Sequence, residues 1–158
     1  GRITDVKPEA FQPGAGRWVE ANTPVHDMSV RLTIGEDMVI REVHAVTDRS
    51  PYPECPDAAP GVAALTGVSL GKGWRAAISE RLGGTSGCTH IRELLNAMGS
   101  AALQSMAAVR KAKAVPVKLT KRPSVVDTCW AFSSERDVVS RRWPELFPPK
   151  APRGDKAG

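Results

Sequence analysis

Cysteine and aromatic residues are both scarce in this chain of 158 residues. Its three cysteines, Cys55, Cys88 and Cys129, are odd in number and widely spaced. That pattern argues against a disulfide scaffold and leaves metal binding, reactivity or plain burial as their roles. Aromatic residues make up only 5% of the chain, and the basic segments lack the interleaved aromatic residues on which single-stranded nucleic acid stacks. We therefore do not expect nucleic acid as a partner.

Long apolar runs are also missing. The sequence contains no stretch of about 18 apolar residues, and its first residues lack the layout of a signal peptide. We therefore expect a cytoplasmic protein with no membrane partner. No phosphate-binding loop, serine triad or helix-turn-helix signature supports nucleotide hydrolysis or sequence-specific DNA binding. Because the chain opens on Gly1, we expect a processed or truncated product that lacks N-terminal sequence.

Positive charge is concentrated near the C-terminus. Residues 1–109 carry 10 basic and 12 acidic side chains, whereas residues 110–158 carry 12 basic and 5 acidic ones. A basic tail of this kind is either simply solvated or reaches toward nucleic acid, an acidic partner or an anionic substrate.

Composition and periodicity divide the chain into four parts. We predict an irregular N-terminal segment over residues 1–25, an α+β core domain over 26–115, an ordered C-terminal arm over 116–147 and a disordered tail over 148–158. The N-terminal segment contains one short strand candidate, Arg2–Val6. The arm, with the segment "SVVDTCWAF", is expected to add either a strand or irregular ordered structure.

The core domain is predicted to contain an antiparallel hairpin. Apolar residues alternate with polar ones from Met28 to Ile34, Gly35 opens a turn, and a β-rich run resumes from Met38 to Thr47. The following "DRSPYPECPDAAPG" stretch is predicted to be a loop, because proline removes backbone donors.

Helices are predicted after the hairpin, at Val62–Leu65, at Trp74–Leu82 and over some twenty residues beginning near Thr89, which we expect to cap the third helix. This third helix carries an apolar stripe at three- and four-residue steps: Ile91, Leu94, Leu95, Met98, Ala102, Met106 and Val109. The sequence thus predicts an α+β fold, an antiparallel sheet built on the hairpin with helices packed on one face.

The segment "GGTSGCTHIRELL" places Cys88 and His90 two positions apart at the predicted start of that third helix. Free backbone N–H groups and the helix dipole stabilise a thiolate at such a position, which suits it to bind a metal or to act as a nucleophile. The alternative is that the two side chains only cap the helix and pack.

Two further candidates are predicted at the same end of the sheet. His26 precedes the first hairpin strand and Cys55 follows the second, and both positions lie at one end of a hairpin. If the third helix begins at that end, His26, Cys55, Cys88 and His90 form a set of sulfur and nitrogen ligands. Such a set suits Zn²⁺ or, as a second choice, an iron–sulfur cluster.

Other side chains are candidates for supporting roles. Asp27 or Glu54 would serve as the base if the site were catalytic with an open metal position. Arg75 and Arg81 are candidates for holding an anionic substrate, although arginines at such places are often only solvated. Cys129 is either a further ligand or a buried thiol.

Several segments resemble a known bacterial family. "PVHDMSVRLTI", "SPYPEC", "LTGVSLGKGW", "ERLGGTSGCTHIRELL" and "DTCW" with a later "WPE" are similar, in order and spacing, to the family catalogued as domain of unknown function 2889. The resemblance covers roughly residues 1–147 and implies a coherent domain without naming an activity. It also implies that the N-terminal part of the family is missing here.

A more distant resemblance is to the iron–sulfur cluster scaffold and sulfur-acceptor fold. It places His26 and Asp27 where that family has a cysteine and its aspartate, Cys55 at the second cysteine, and Cys88 with His90 at a His-Cys pair. The sequence departs from the pattern because His26 replaces a cysteine, the loop before Cys55 is longer, and the late pair is inverted and widened. Zn²⁺ accepts histidine in place of thiolate, so we rank it above a cluster.

Three classes of function are therefore open. The first is a metal-binding accessory or scaffold protein that docks a partner through its basic tail. The second is a small metal- or cysteine-dependent hydrolase or lyase acting on a small carboxylated or aromatic substrate. The third is a non-catalytic subunit of a larger complex or a homo-oligomer, with Trp74, Trp130 and Trp143 among its buried or interface aromatic residues.

Overall fold

The computed structural model describes residues 1–113 and 121–148. The chain divides into two compact units, Gly1–Ala114 and Val115–Gly158, and each is described by itself. The predicted fold class is confirmed, because the first unit combines a three-stranded antiparallel sheet with helices. The N-terminal segment is part of this unit and supplies its first strand.

The sheet has the strand order β1-β2-β3, formed by Arg2–Val6, Pro24–Ile34 and Ile40–Arg49. The predicted hairpin is confirmed as β2 and β3. It closes through a turn in which the Gly35 N–H donates to the Val39 carbonyl at 3.0 Å, and Met38 adopts a positive φ of 63°. At the end of the sheet that carries His26, both strands are longer than predicted, because β2 already begins at Pro24 and β3 ends only at Arg49.

The register of the sheet decides which side chains share a face. In the β1–β2 ladder Asp5 pairs with His26 and Thr4 with Asp27. Because successive side chains alternate across a strand, Asp5, His26 and Met28 project from one face and Asp27 from the other. The first face is the one that packs on the helices, since Met28 belongs to the buried core.

Two α-helices follow, α1 at Trp74–Leu82 and α2 at Thr89–Lys113. The bounds of α1 match the prediction, and the long apolar helix is confirmed as α2. The expected loop around Cys55 is wrong in its second half, because a 3₁₀ helix runs from Cys55 to Leu65. Proline tolerates helical φ values and the first helical turn needs no donor there, so the proline content did not prevent a helical segment.

The core of the first unit lies between the sheet and the helices. The 3₁₀ segment packs on β3, α1 packs on this segment and on α2, and α2 packs on β1 and β2. The largest fully buried side chains of this core are Met28, Ile40, Leu65, Leu70, Ile78, Leu82, Ile91 and Leu95. The far end of α2 is tied to the hairpin turn by an ion pair between Lys113 and Glu36.

The second unit has its own small apolar cluster. The helix α3 spans Asp137–Arg142, and Val126, Val139 and Trp143 are buried together. The segment "SVVDTCWAF" forms turns rather than a strand. Trp130 is 77% exposed and lies under the Arg136 guanidinium, 3.9 Å from the ring centroid.

Some predictions fall on residues outside the described ones. These are the boundary at residue 115, the first five residues of the predicted arm, and the predicted disordered tail apart from residue 148. Within residues 1–113 and 121–148, no helix has the length and apolar character needed to cross a membrane.

Candidate functional site

The site is centred on the first turn of α2. The helix begins at Thr89, and the carbonyl of Cys88 accepts the Arg92 N–H at 3.0 Å, so Cys88 occupies the N-cap position. The expectation that Thr89 caps the helix is therefore wrong, because Thr89 is already helical. The Cys88 thiol consequently lies at the positive end of a 25-residue helix.

The half-buried Cys88 thiol contacts two donor atoms. Its Sγ lies 3.8 Å from Nδ1 of His90 and 3.9 Å from Sδ of Met28. Met28 is fully buried on the helix-facing side of β2. These contacts bring the start of α2 against the start of β2, as the convergence of the candidate ligands requires.

His26, on β2, lies beside these side chains. Together with Asp5, which contacts it, His26 joins Cys88, His90 and Met28 in what we call the cluster. The His26 ring lies against that of His90, with the centroids 3.9 Å apart and the planes tilted by 33°. Asp5 holds His26 from β1, because one carboxylate oxygen, Oδ1, accepts the His26 backbone N–H at 2.7 Å and lies 3.0 Å from ring Nδ1. His26 Nε2 is left to bind other groups.

The surroundings of His90 disfavour its protonated form. Partial burial and repulsion from His26 lower the pKa of His90, and the Asp5 carboxylate opposes this only in part. Burial raises the pKa of Asp5, but hydrogen bonds from His26 outweigh it and leave that pKa below its ordinary value. A neutral imidazole is the form that binds a metal or accepts a proton.

Cys55 is not part of this cluster. It is the first residue of the 3₁₀ segment and is half-buried, and its thiol forms no hydrogen bond with any residue in the described parts of the chain. Three of the four predicted ligands, His26, Cys88 and His90, are thus brought together, and Cys55 is not. The neighbouring Glu54 is exposed.

Asp27 lies on the opposite face of β2 from His26. The Arg2 Nε donates to its Oδ1 at 2.7 Å, and a second guanidinium nitrogen contacts Oδ2. The Thr4 hydroxyl lies 3.4 Å from Oδ1. The hydrogen bond from Arg2 lowers the pKa of Asp27 below its usual range, which weakens this carboxylate as a base.

Two of the remaining candidates, Arg75 and Arg81, belong to α1, and the third, Cys129, belongs to the second unit. Arg75 is exposed and lines a cleft of about 320 Å³ between α1 and α2. Arg81 donates to the Ala64 carbonyl at 2.6 Å and so joins α1 to the 3₁₀ segment. Cys129 is exposed in the second unit.

Two members of the cluster were not predicted from the sequence. The only indication for Asp5 in the sequence was its position in the strand candidate Arg2–Val6. Its role depends on the sheet register, which places it beside His26, 21 positions away. The indication for Met28 was its spacing of two residues from His26, because side chains two positions apart lie on the same face of a strand.

The side chains of the cluster do not have the arrangement of a metal site. Within residues 1–113 and 121–148, no group of three or more His, Cys, Asp or Glu side chains is placed to hold a metal ion.

Comparison with known proteins gives a family without an activity. No curated protein and no solved structure matches the chain, so nothing supports the resemblance to the iron–sulfur scaffold fold. The family described as "Protein of unknown function (DUF2889)" matches residues 1–104. That range contains every member of the cluster and about two thirds of the chain, and the chain accordingly belongs to the DUF2889 family.

Proposed function

We propose that the first unit binds one metal ion at the junction of β2 and α2, through Cys88 and His90 with His26 as the third protein ligand. The observation that carries the proposal is the 3.8 Å separation between Cys88 Sγ and His90 Nδ1. With metal–sulfur and metal–nitrogen bonds of about 2.3 and 2.0 Å, a tetrahedral ion would hold these two atoms about 3.5 Å apart. A shift of a few tenths of an ångström therefore suffices.

His26 needs a larger adjustment. Its ring must turn so that Nε2 faces the ion that Cys88 and His90 hold. Asp5 already engages Nδ1, and a carboxylate behind a histidine is the usual arrangement of a metal ligand and its outer partner. The contact fixes Nε2 as the free nitrogen.

The donor set favours Zn²⁺ over an iron–sulfur cluster. One thiol and two imidazoles lie together, whereas clusters are held mainly by thiolates. Three protein ligands leave a position for water, for a substrate or for a partner's side chain. A role as an accessory metal protein follows more directly than catalysis, because neither Asp27 nor Glu54 lies in the cluster.

Metal analysis of purified variants tests the proposal. The wild-type chain, purified without a nickel column and dialysed against Zn²⁺, should retain about one equivalent. Cys88→Ser and His90→Gln should lose it while keeping their helical circular dichroism. Cys129→Ser and His44→Gln are matched controls, because Cys129 is exposed in the other unit and His44 is bonded to Glu42 on the hairpin; both should bind as the wild type does.

Cys55→Ser separates this proposal from a four-ligand site. We expect it to retain the metal, since Cys55 is not in the cluster. Loss of metal in Cys55→Ser would restore the four-ligand arrangement. A wild-type chain that retains no ion, or a Cys88→Ser chain that retains as much as the wild type, would contradict the proposal.

A thiol-dependent activity is the second candidate, and one observation favours it. The lowered pKa of His90 provides a neutral imidazole 3.8 Å from a thiol at a helix start, which is the composition of an activated nucleophile. In metal-free protein, His90→Gln should then slow alkylation of Cys88 by iodoacetamide, with Cys129 as the internal reference. Equal alkylation rates in His90→Gln and wild type would exclude His90 as the activating base.

A further inference from the structure

Met28 stands out among the buried methionines because its sulfur touches the candidate ligand. Its side chain has no solvent exposure, and its Sδ lies 3.9 Å from Cys88 Sγ. Cys88 therefore has a thioether on one side and the His90 imidazole nitrogen on the other, 3.8 Å away.

The two distances can be compared with those around a single bound ion. For bonds of about 2.3 Å to sulfur and 2.0 Å to nitrogen, a trigonal ion separates two sulfurs by about 4.0 Å and sulfur from nitrogen by about 3.7 Å. A tetrahedral ion gives about 3.8 and 3.5 Å. The observed separations of 3.9 and 3.8 Å taken together lie closer to the trigonal values.

The chemistry of the donors narrows the choice of ion. Zn²⁺ sites are built from thiolate, imidazole and carboxylate, and a thioether is not among these ligands. Soft sulfur ligands suit Cu⁺, zinc and iron–sulfur centres, and of these Cu⁺ is the ion for which a thioether beside a thiolate fits best. The burial of Met28 and the partial burial of Cys88 also limit the access of water to the ion.

We propose that Cys88, His90 and Met28 form a three-coordinate site for Cu⁺. The inference rests on the proposed metal-binding function and extends it to a second ion, with Met28 in the place that His26 takes for Zn²⁺. Unlike the Zn²⁺ arrangement, it does not require the His26 ring to turn. His26 stands beside His90 as a fourth group that can approach the ion.

Binding requires one deprotonation and no change of oxidation state. The Cys88 S–H bond breaks, a copper–sulfur bond forms in its place, and the proton leaves to solvent. Met28 and His90 donate lone pairs without losing a proton. The thiol no longer donates to Met28 Sδ, so the thioether lone pair is released for the metal.

The test is a pair of competition titrations under anaerobic conditions. Cu⁺ is titrated in competition with a bicinchoninate chelator and, separately, Zn²⁺ with a chromophoric chelator, on wild type, Met28→Leu and Cys88→Ser. Met38→Leu is the matched control, because Met38 is also buried but lies at the hairpin turn. Met28→Leu conserves volume, so the fold should persist, and circular dichroism checks this.

We expect Cu⁺ binding in wild type and Met38→Leu, none in Cys88→Ser, and binding at least about tenfold weaker in Met28→Leu. Zn²⁺ binding should not change in Met28→Leu. X-ray absorption at the copper edge should find two sulfur donors and one nitrogen in wild type, and one sulfur fewer in Met28→Leu.

The titrations distinguish failure of the Cu⁺ site from failure of the proposed metal-binding function. If Zn²⁺ binds and Cu⁺ does not, or if Met28→Leu binds Cu⁺ as tightly as wild type, the thioether site is wrong and the proposed function stands. If neither ion binds to wild type, both are wrong.

Discussion

The indole of Trp74 packs directly against Gly99, where α1 crosses α2. A Cβ built at Gly99 would lie 2.5 Å from Trp74 Cδ1 and Nε1, and the same indole N–H donates to the Leu95 carbonyl at 3.0 Å. The close approach of the two helices therefore depends on a residue without a side chain.

Gly99→Ala should destabilise the first unit by about 1 kcal/mol. Overpacking of this kind costs about 1–3 kcal/mol, and the better helix propensity of alanine offsets roughly 1 kcal/mol of it. Urea unfolding followed by circular dichroism measures the change. Ser100→Ala, at the exposed neighbouring position of the same helix, should be neutral or slightly stabilising. Equal midpoints for Gly99→Ala and wild type would show that Trp74 can move away without cost.

The Arg2–Asp27 pair should make the attachment of β1 sensitive to acid. Arg2 lowers the pKa of Asp27 relative to an unfolded value of about 3.9. A carboxyl with a lowered folded pKa stabilises the fold fully above its unfolded pKa, and this stabilisation is lost as the pH falls through the folded value. The loss therefore begins below about pH 4.

Asp27→Asn should flatten this acid dependence. The measurement is the urea midpoint at a series of pH values from neutral to strongly acidic, compared with that of Arg31→Ala. Arg31 is exposed and lies 4.0 Å from Glu42, whose pKa it lowers only as a minor cause, so its replacement should change the acid limb much less than Asp27→Asn does. An Asp27→Asn curve that parallels the wild-type curve would show that the pair contributes nothing to the pH dependence.

Gly73 is a second position that favours glycine, in this case because of its backbone conformation. It precedes α1 with a φ of 93°, a region that costs an alanine about 1–2 kcal/mol. Gly73→Ala should destabilise by that amount, Gly73→Asn by less because asparagine tolerates this region, and Gly71→Ala by no more than about 0.5 kcal/mol. Thermal unfolding distinguishes the three variants. If Gly73→Ala were as stable as Gly73→Asn, the positive φ of Gly73 would not be the cause of the destabilisation.

Much of the fold could be predicted from local patterns. The alternation from Met28 to Ile34 identifies the hairpin, and the end of α1 follows from Gly83 and Gly84, which come directly after Leu82. The 3₁₀ helix at Cys55 was missed because proline content speaks against regular structure, whereas packing on β3 decides the outcome.

The candidate site was only partly predictable, for a different reason. Cys88 and His90 share one turn of chain, so their proximity is visible in the sequence. Asp5 meets His26 through sheet register, and Met28 meets Cys88 through packing of α2 on β2 across 60 positions. No local pattern contains these contacts.

If the first unit binds a metal as proposed, Asp5 should act as a positioning residue for His26. Its carboxylate contacts Nδ1 at 3.0 Å, which fixes the N–H on that nitrogen and leaves Nε2 free to bind. Loss of such an outer partner typically weakens metal binding by about 10- to 100-fold. We expect Asp5→Asn to weaken Zn²⁺ binding by that factor, whereas Glu9→Gln, an exposed change in the same N-terminal segment, should not.

A second measurement separates positioning from a merely structural role. In metal-free protein, nitrogen chemical shifts of the His26 ring report which nitrogen carries the proton. The wild type should show Nδ1 protonated, and Asp5→Asn should shift the population toward the other tautomer because the neutral amide no longer favours an N–H facing it. If Zn²⁺ affinity falls while the tautomer does not change, Asp5 acts through the stability of β1. If neither changes, the carboxylate has no part in the site, and the metal depends on Cys88 and His90 without a held His26.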